Sequence, residues 1–157
     1  MNKKPILILG IGNLLLKDEG IGVHVAQRMM NMSLPPDVDV MDGGTMGMNL
    51  VYYIEGRKKV VVIDAVLMDD PPGTIYRFTG KDLEEQSGRL FSAHDINFVH
   101  VLKNAAFFGN KPEEVVFIGI KPGEISEGLE LTPLIEERIP KIIELVMKEI
   151  ENETGQN

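Results

Sequence analysis

The chain has 157 residues, 43% of them hydrophobic, with a formal charge of −8; that is enough for one domain with a real core and too short for two. The acidity argues against nucleic acid or an anionic membrane surface as a partner. With no cysteine there is no disulfide framework and no thiolate nucleophile, so any metal ligand must be His, Asp or Glu.

Met1-Asn2-Lys3-Lys4-Pro5-Ile6 enters an apolar run through Leu9 that reads as a buried parallel strand, not a signal peptide. A glycine-rich loop follows, from Gly10-Ile11-Gly12-Asn13 to Asp18-Glu19-Gly20-Ile21-Gly22-Val23. The helix-like stretch after it, residues 21–30, carries an apolar stripe of Val23, Ala26, Met29 and Met30. A loop between a first strand and a first helix is where open α/β folds place ligands. A dinucleotide fingerprint would need its third glycine at position 15, which is Leu15. Asp18 and Glu19, beside the helix start, would also repel a pyrophosphate. The loop presents acid and suits a cation better than a phosphate.

Ser33-Leu34-Pro35-Pro36 halts the chain before a second strand, Val38-Asp39-Val40-Met41, which ends in a second glycine loop, Asp42-Gly43-Gly44-Thr45. Residues 47–55 read as a short helix closed by Gly56. Lys59-Val60-Val61-Val62-Ile63-Asp64-Ala65 is the strongest strand, and its unbroken apolar run implies burial on both faces. After the turn Asp69-Asp70-Pro71-Pro72-Gly73, residues 74–78 alternate like an edge strand. That connection is too short for a helical crossover, so the edge strand is expected antiparallel. Residues 81–89 are polar and poorly periodic, which suggests a mobile loop or one helical turn.

A helix is expected over 94–108, with Ile96, Val99, Leu102 and Phe107 inward and Gly109 ending it. Residues 114–120 form another buried strand, 124–131 an irregular segment and 133–150 an amphipathic helix. No apolar stretch reaches the ~20 residues of a membrane span. The expected fold is α/β: a three-layer α/β/α sandwich around an about five-stranded, mostly parallel twisted sheet with one antiparallel edge strand. A single domain over 1–150 with a frayed tail at 151–157, monomeric and cytoplasmic, completes the expectation.

Glu19 follows the first strand, Asp64 ends the strongest strand, and His94 stands at a helix start. Loops at the carboxyl ends of neighbouring parallel strands converge, so the three can share a site. Two carboxylates and an imidazole bind a borderline divalent cation with positions left open. Each also has a purely structural reading: Asp64 as a cap on the next turn, Glu19 as a first-turn carboxylate favoured by the helix dipole, and His94 as a polar residue at a helix start. His24 and His100 fit structural or surface roles, and Met46 and Met48 fit packing. The 42–45 turn serves a strand-to-helix bend, although adjacent glycines also let a partner's backbone approach closely. Ser33, Ser87, Ser92 and Ser126 lack a nucleophile-elbow context, so a serine hydrolase finds no support.

Together, Gly10-Ile11-Gly12-Asn13, Asp18-Glu19-Gly20-Ile21-Gly22-Val23, Asp42-Gly43-Gly44-Thr45, Val62-Ile63-Asp64-Ala65 and Ser92-Ala93-His94 resemble the hydrogenase maturation endopeptidases, which trim the large subunit of nickel-iron hydrogenases. The resemblance runs on to Leu131-Thr132-Pro133 and so covers nearly the whole domain. It implies that the family's three metal-contacting side chains fall on Glu19, Asp64 and His94, which would carry catalysis and metal contact together. It also implies removal of a C-terminal extension from the large-subunit precursor, with nickel supplied by that precursor and no tightly held metal of the protease's own. Asp42, Gly43, Gly44 and Thr45 would then let the precursor's tail pass close to the backbone. Whether the metal or a carboxylate performs the hydrolysis stays open. Two other readings are a non-catalytic α/β metal- or nucleotide-binding module and a metal-dependent hydrolase of small molecules. The acidic loop counts against the first, and the whole-chain resemblance against the second.

Overall fold

The structure, a computed structural model, describes residues 3–86 and 93–153. Five strands form one sheet in the order β2-β1-β3-β5-β4: β1 Ile6–Ile11, β2 Val38–Gly44, β3 Lys59–Ala65, β4 Ile75–Thr79 and β5 Glu114–Ile120. The β1–β2, β1–β3 and β3–β5 pairs are parallel, and the edge strand β4 is antiparallel to β5, as the short connection required. Every residue of β1 and β3 is buried, which is why both read as apolar runs without alternation.

The alternation of side chains across the sheet divides the core. Ile6, Ile8, Val61 and Ile63 face α1 (Ile21–Met30) and α5 (Pro133–Glu153), while Leu7, Leu9, Val60 and Val62 face α2 (Leu50–Ile54), α3 (Gly80–Gln86) and α4 (Ala93–Phe107). Helices on both faces of a mostly parallel sheet give the three-layer sandwich expected from the sequence. From β1 the chain winds outward to β2, returns to the far side of β1 as β3, crosses to the opposite edge as β4, and comes back as β5 between β3 and β4. The switch point between β1 and β3 is where such sheets bind ligands.

Three local expectations need refinement or correction. Of the two alternatives, a mobile loop or one helical turn, residues 80–86 take the helical one, over about two turns and with Leu83 buried; the rest of that stretch, 87–89, lies outside the described residues. A reciprocal cap starts this helix. Thr79 N–H donates to Asp82 Oδ2 at 2.9 Å, and Asp82 N–H donates to Thr79 Oγ1 at 3.2 Å. In α4, Phe107 points outward at 81% exposure, whereas Phe98, Val99, Val101, Leu102 and Ala105 are buried. The side chain of Ile96 lies outside the described residues. Position 107 falls about 200° round the helix from position 105, on the opposite face. Finally, α5 stays helical through Glu153, past the boundary drawn at 150, and residues 154–157 are outside the described set.

The amino ends of β3 and β5 carry a charge cluster centred on a buried lysine. Lys59, 2% exposed, lies 3.1 Å from Glu149 Oε1 and 3.4 Å from Glu114 Oε2. Arg77 grips the Glu149 carboxylate with two bonds of 3.0 and 3.1 Å.

Candidate active site

The first glycine loop is shaped by close backbone approaches. Gly12 has φ +144°, and a Cβ there would stand 2.1 Å from the Glu19 carbonyl oxygen, so the turn at Lys17–Gly20 folds directly back on it. Gly22, at the start of α1, leaves no room for a side chain either: a Cβ would lie 2.1 Å from the Ile63 carbonyl and 2.4 Å from that of Ile11. These contacts seat the helix start on the carboxyl ends of β1 and β3. The Lys17–Gly20 turn packs against β3, which brings Glu19 to the strand that ends in Asp64.

Asp64 is 1% exposed and on the α4 face of β3, in phase with Val60 and Val62. Its Oδ1 accepts the Ala65 N–H at 2.8 Å, which fixes the carboxyl at the strand terminus. Glu19 is half-buried on its turn. His94 is the second residue of α4, at the helix start expected from the sequence; its side chain, like Ser92, lies outside the described residues. Phe98, four residues further on, lines a small cavity with Ile11, Gly44 and Thr45. Four residues span about 6 Å of helix, so the His94 backbone lies about one helical turn from the residue that lines this cavity.

The acidic loop divides its labour, which the sequence did not reveal. Asp18, read with Glu19 as acid presented to a cation, is 0% exposed and fully engaged within the protein. Its carboxylate accepts the Gly123 and Glu124 N–H groups at 2.8 and 2.9 Å, and the Thr132 N–H and hydroxyl at 2.8 and 2.7 Å. Lys17 adds a backbone bond to Gly128 at 2.9 Å and an ion pair to Glu124 at 2.8 Å. The segment 123–132, irregular in the sequence, is therefore clamped over the glycine loop. No signal in the sequence finds it: Asp18, Gly123 and Thr132 are residue types of local caps and turns, acting here across the fold.

The second glycine loop lies beside the first. Gly12 N–H donates to Gly44 O at 3.0 Å, and Asp42 Oδ1 accepts the Gly44 N–H at 3.0 Å. Asp42 Oδ2 takes a bond from Gln27 Nε2 at 3.3 Å. The two glycines differ in use. A Cβ on Gly43 would reach Leu9 at 2.8 Å and Leu50 at 3.1 Å, so its bareness serves the core. Gly44, at φ +44°, has only Asp42 Oδ1 within reach, at 3.6 Å. Gly44 and the exposed Thr45 line a cleft of about 230 Å³ with Gly12, Asn13, Val23 and Asp42. The structure thus brings Asp42, Gly44 and Thr45 to one cleft at the sheet edge that carries Glu19 and Asp64, and turns Gly43 away from it.

A doubly wound sheet with its switch point between β1 and β3 makes this an α/β protein, and Asp64 and the turn bearing Glu19 lie at the carboxyl side of that point. Comparison with known proteins makes the class specific. The family model for hydrogenase maturation proteases matches residues 23–149. The chain is 31% identical over 144 residues to the hydrogenase 2 maturation protease of Escherichia coli K12, covering 90% of this chain and 88% of that one. It is 38% identical over 146 residues to the hydrogenase expression/formation protein HupD of Thiocapsa roseopersicina, covering 91% of this chain and 66% of that longer relative. Among solved structures, the hydrogenase maturating endopeptidase HybD of E. coli superposes with a TM-score of 0.88 at 31% identity, over 96% of this chain and 93% of that one. The maturation protease HybD of Thermococcus kodakarensis gives 0.78 at 30%, over 91% of this chain and 97% of that one. The chain belongs to the hydrogenase maturation protease family, and it is a peptide hydrolase. Among the described residues, no helix is long and apolar enough to cross a membrane.

Proposed function

We propose that this protease removes the C-terminal extension of a nickel-iron hydrogenase large-subunit precursor after nickel has been inserted, and that Glu19, Asp64 and His94 contact that nickel. The observation that carries the reading is the burial of Asp64 at the end of β3, against the turn that bears Glu19. A carboxylate is placed at 1% exposure only where something specific rewards it. Nickel here belongs to the substrate. Two carboxylates and an imidazole are hard and borderline donors, and the precursor's own cysteine thiolates complete the set. Such a partial site binds free metal weakly and becomes whole on the loaded precursor. Discrimination is then the difference in affinity between loaded and empty precursor.

The two carboxylates have different settings, which supports different roles. Asp64, held by the Ala65 N–H, is the fixed ligand. Glu19, half-buried on a turn, reaches solvent and takes the proton from the attacking water. The precursor's nickel, contacted by Glu19, Asp64 and His94, would supply Lewis-acid polarisation of the scissile carbonyl. The precursor's tail crosses the cleft beside Asp42, Gly44 and Thr45, with Gly43 holding the turn from below.

The test is incubation of the protein with nickel-loaded and nickel-free precursor from its own host, with product mass as readout. Loss of a C-terminal peptide from the loaded form alone is expected, and Glu19→Gln, Asp64→Asn and His94→Ala should each abolish it. Cleavage of neither form overturns the reading; equal cleavage of both overturns the role of nickel.

A further inference from the structure

The clamp formed by Asp18 creates a second feature beside the cleft. Segment 123–132 lies along the first glycine loop, joined by a parallel bridge between Leu16 and Gly128 and by hydrogen bonds from Lys17 N–H to Gly128 O and from Gly128 N–H to Leu15 O, both 2.9 Å. Between loop and strap runs a groove of about 420 Å³, lined by Asn13, Leu15, Leu16, Glu127, Gly128 and Leu129. Its leucines are not spent on the core: Leu15 is 62% exposed and Leu129 61%. The groove shares Asn13 and Leu15 with the cleft at Gly44 and Thr45, so the two form one continuous track along the carboxyl edge of the sheet.

We propose that this groove is the specificity subsite of the protease, taking an apolar side chain of the precursor polypeptide on one side of the scissile bond. The inference rests on the protease function given above. Three observations support it together. A peptide substrate extends about 3.3 Å per residue on either side of the bond being cut, so a track leading out of the cleft is where its neighbouring residues lie. Exposed leucines on separate segments line one groove, and a buried carboxylate and a backbone bridge hold those segments together, which preorganises an apolar surface instead of collapsing it. Glu127, on the rim, has no ion-pair partner among the described residues. It fits a basic residue next to the apolar one, so the occupant is an extended segment with that pairing.

Leu15→Gln and Leu129→Gln, made on an exposed surface, leave the folded core untouched. Each should raise KM for the loaded precursor about tenfold or more with kcat and melting temperature unchanged, and Glu127→Lys should raise KM as well. Phe107→Gln, which removes an equally exposed apolar side chain at the end of α4, should change nothing. Because the chain contains no cysteine, Leu129→Cys carries a benzophenone label at a single thiol, and irradiation with the loaded precursor should give a crosslinked adduct. The same label at Phe107→Cys should give none. If the wild type cleaves and the leucine variants match it in KM, or no adduct forms at 129, the groove is not a subsite and the protease function stands. If the wild type cleaves no precursor, the function falls and the subsite with it.

Discussion

Asp18 and Thr132 are 114 positions apart, and the carboxylate of one accepts both the backbone N–H and the hydroxyl of the other, at 2.8 and 2.7 Å. Two further backbone N–H groups, from Gly123 and Glu124, complete the shell. The residue before the candidate base is thus a structural anion, sealed from water, that sets where the loop lies. Replacing it by Asn puts an amide donor among four donors and removes the charge. Asp18→Asn should lose about 3 kcal/mol of stability, read from the urea midpoint, whereas Glu19→Gln should shift the midpoint little. A midpoint equal to wild type for Asp18→Asn would show that the clamp carries no stability.

The adjacent glycines of the second loop make a paired prediction. Gly43→Ala drives a methyl into Leu9 and Leu50 and should cost about 1–3 kcal/mol by overpacking. Cleavage by the fraction that remains folded should survive. Gly44→Asn should behave oppositely. Asn tolerates the left-handed backbone, and a Cβ there would meet only Asp42 Oδ1, at 3.6 Å, so the fold should lose about 1 kcal/mol or less. Its side chain projects into the cleft, and precursor cleavage should fall at least tenfold. Gly44→Val, a β-branched residue at positive φ, would confuse the two effects. Unfolding by Gly44→Asn, or unimpaired cleavage, would contradict the assignment of these two faces.

The contrast between Asp64 and Asp18 shows where sequence reading reaches and where it ends. Asp64 was legible because it interrupts the apolar run of β3 at its last turn inward, and position along a buried strand fixes both face and edge. The antiparallel β4 was legible for a similar reason, since a short connection leaves no other geometry. Asp18 was not, because its partners at Gly123, Glu124 and Thr132 are remote in sequence, and nothing in the spacing of the loop distinguishes a carboxylate aimed inward from one aimed at a ligand. The extent of the α3 helix was hidden by polarity: among its described side chains only Leu83 is core, and the Thr79–Asp82 cap, not periodicity, starts it. Phe107 was misplaced because the stripe of α4 centres on Phe98, Leu102 and Ala105, and an aromatic near a helix end draws an inward assignment by hydrophobicity alone.

Acid should unfold the protein partly through Glu149. Burial alone would raise its pKa, but hydrogen bonds from Arg77 and then Lys59 outweigh that and hold it below the ordinary 4.5. The folded pKa is depressed, so the unfolded chain binds the proton first. The contribution is complete above about pH 4.5 and is lost as pH falls through the folded value. Glu149→Gln should therefore flatten the acid limb of the stability curve and lower stability at neutral pH, where Lys59 and Arg77 would be left with one carboxylate fewer. Parallel acid limbs for variant and wild type would rule out this linkage.

His24 should produce a second pH dependence, in a different window. It lies on α1, with its Nε2 buried and without a hydrogen-bond partner among the described residues. Burial lowers its pKa below 6.5; the Glu136 carboxylate opposes this, and Arg28 reinforces it. Backbone contact with Leu129 and the Asp18 charge act weakly in the opposite sense. With the folded pKa depressed, the unfolded chain takes up a proton near pH 6.5 while the native imidazole stays neutral, so between the two values stability rises with pH. Stability measured by denaturant should thus fall from pH 7.5 toward pH 5.5. His24→Gln, which has no titrating group, should remove that part of the slope while the Glu149 limb at lower pH remains. The imidazole proton resonances should titrate below 6.5 in the folded protein. Because His24 touches the strap at Leu129, charging it should also loosen the groove, and the KM for precursor should rise toward acid in the wild type more than in His24→Gln. A folded-state titration at or above 6.5, or an unchanged slope in the variant, would remove His24 from the account.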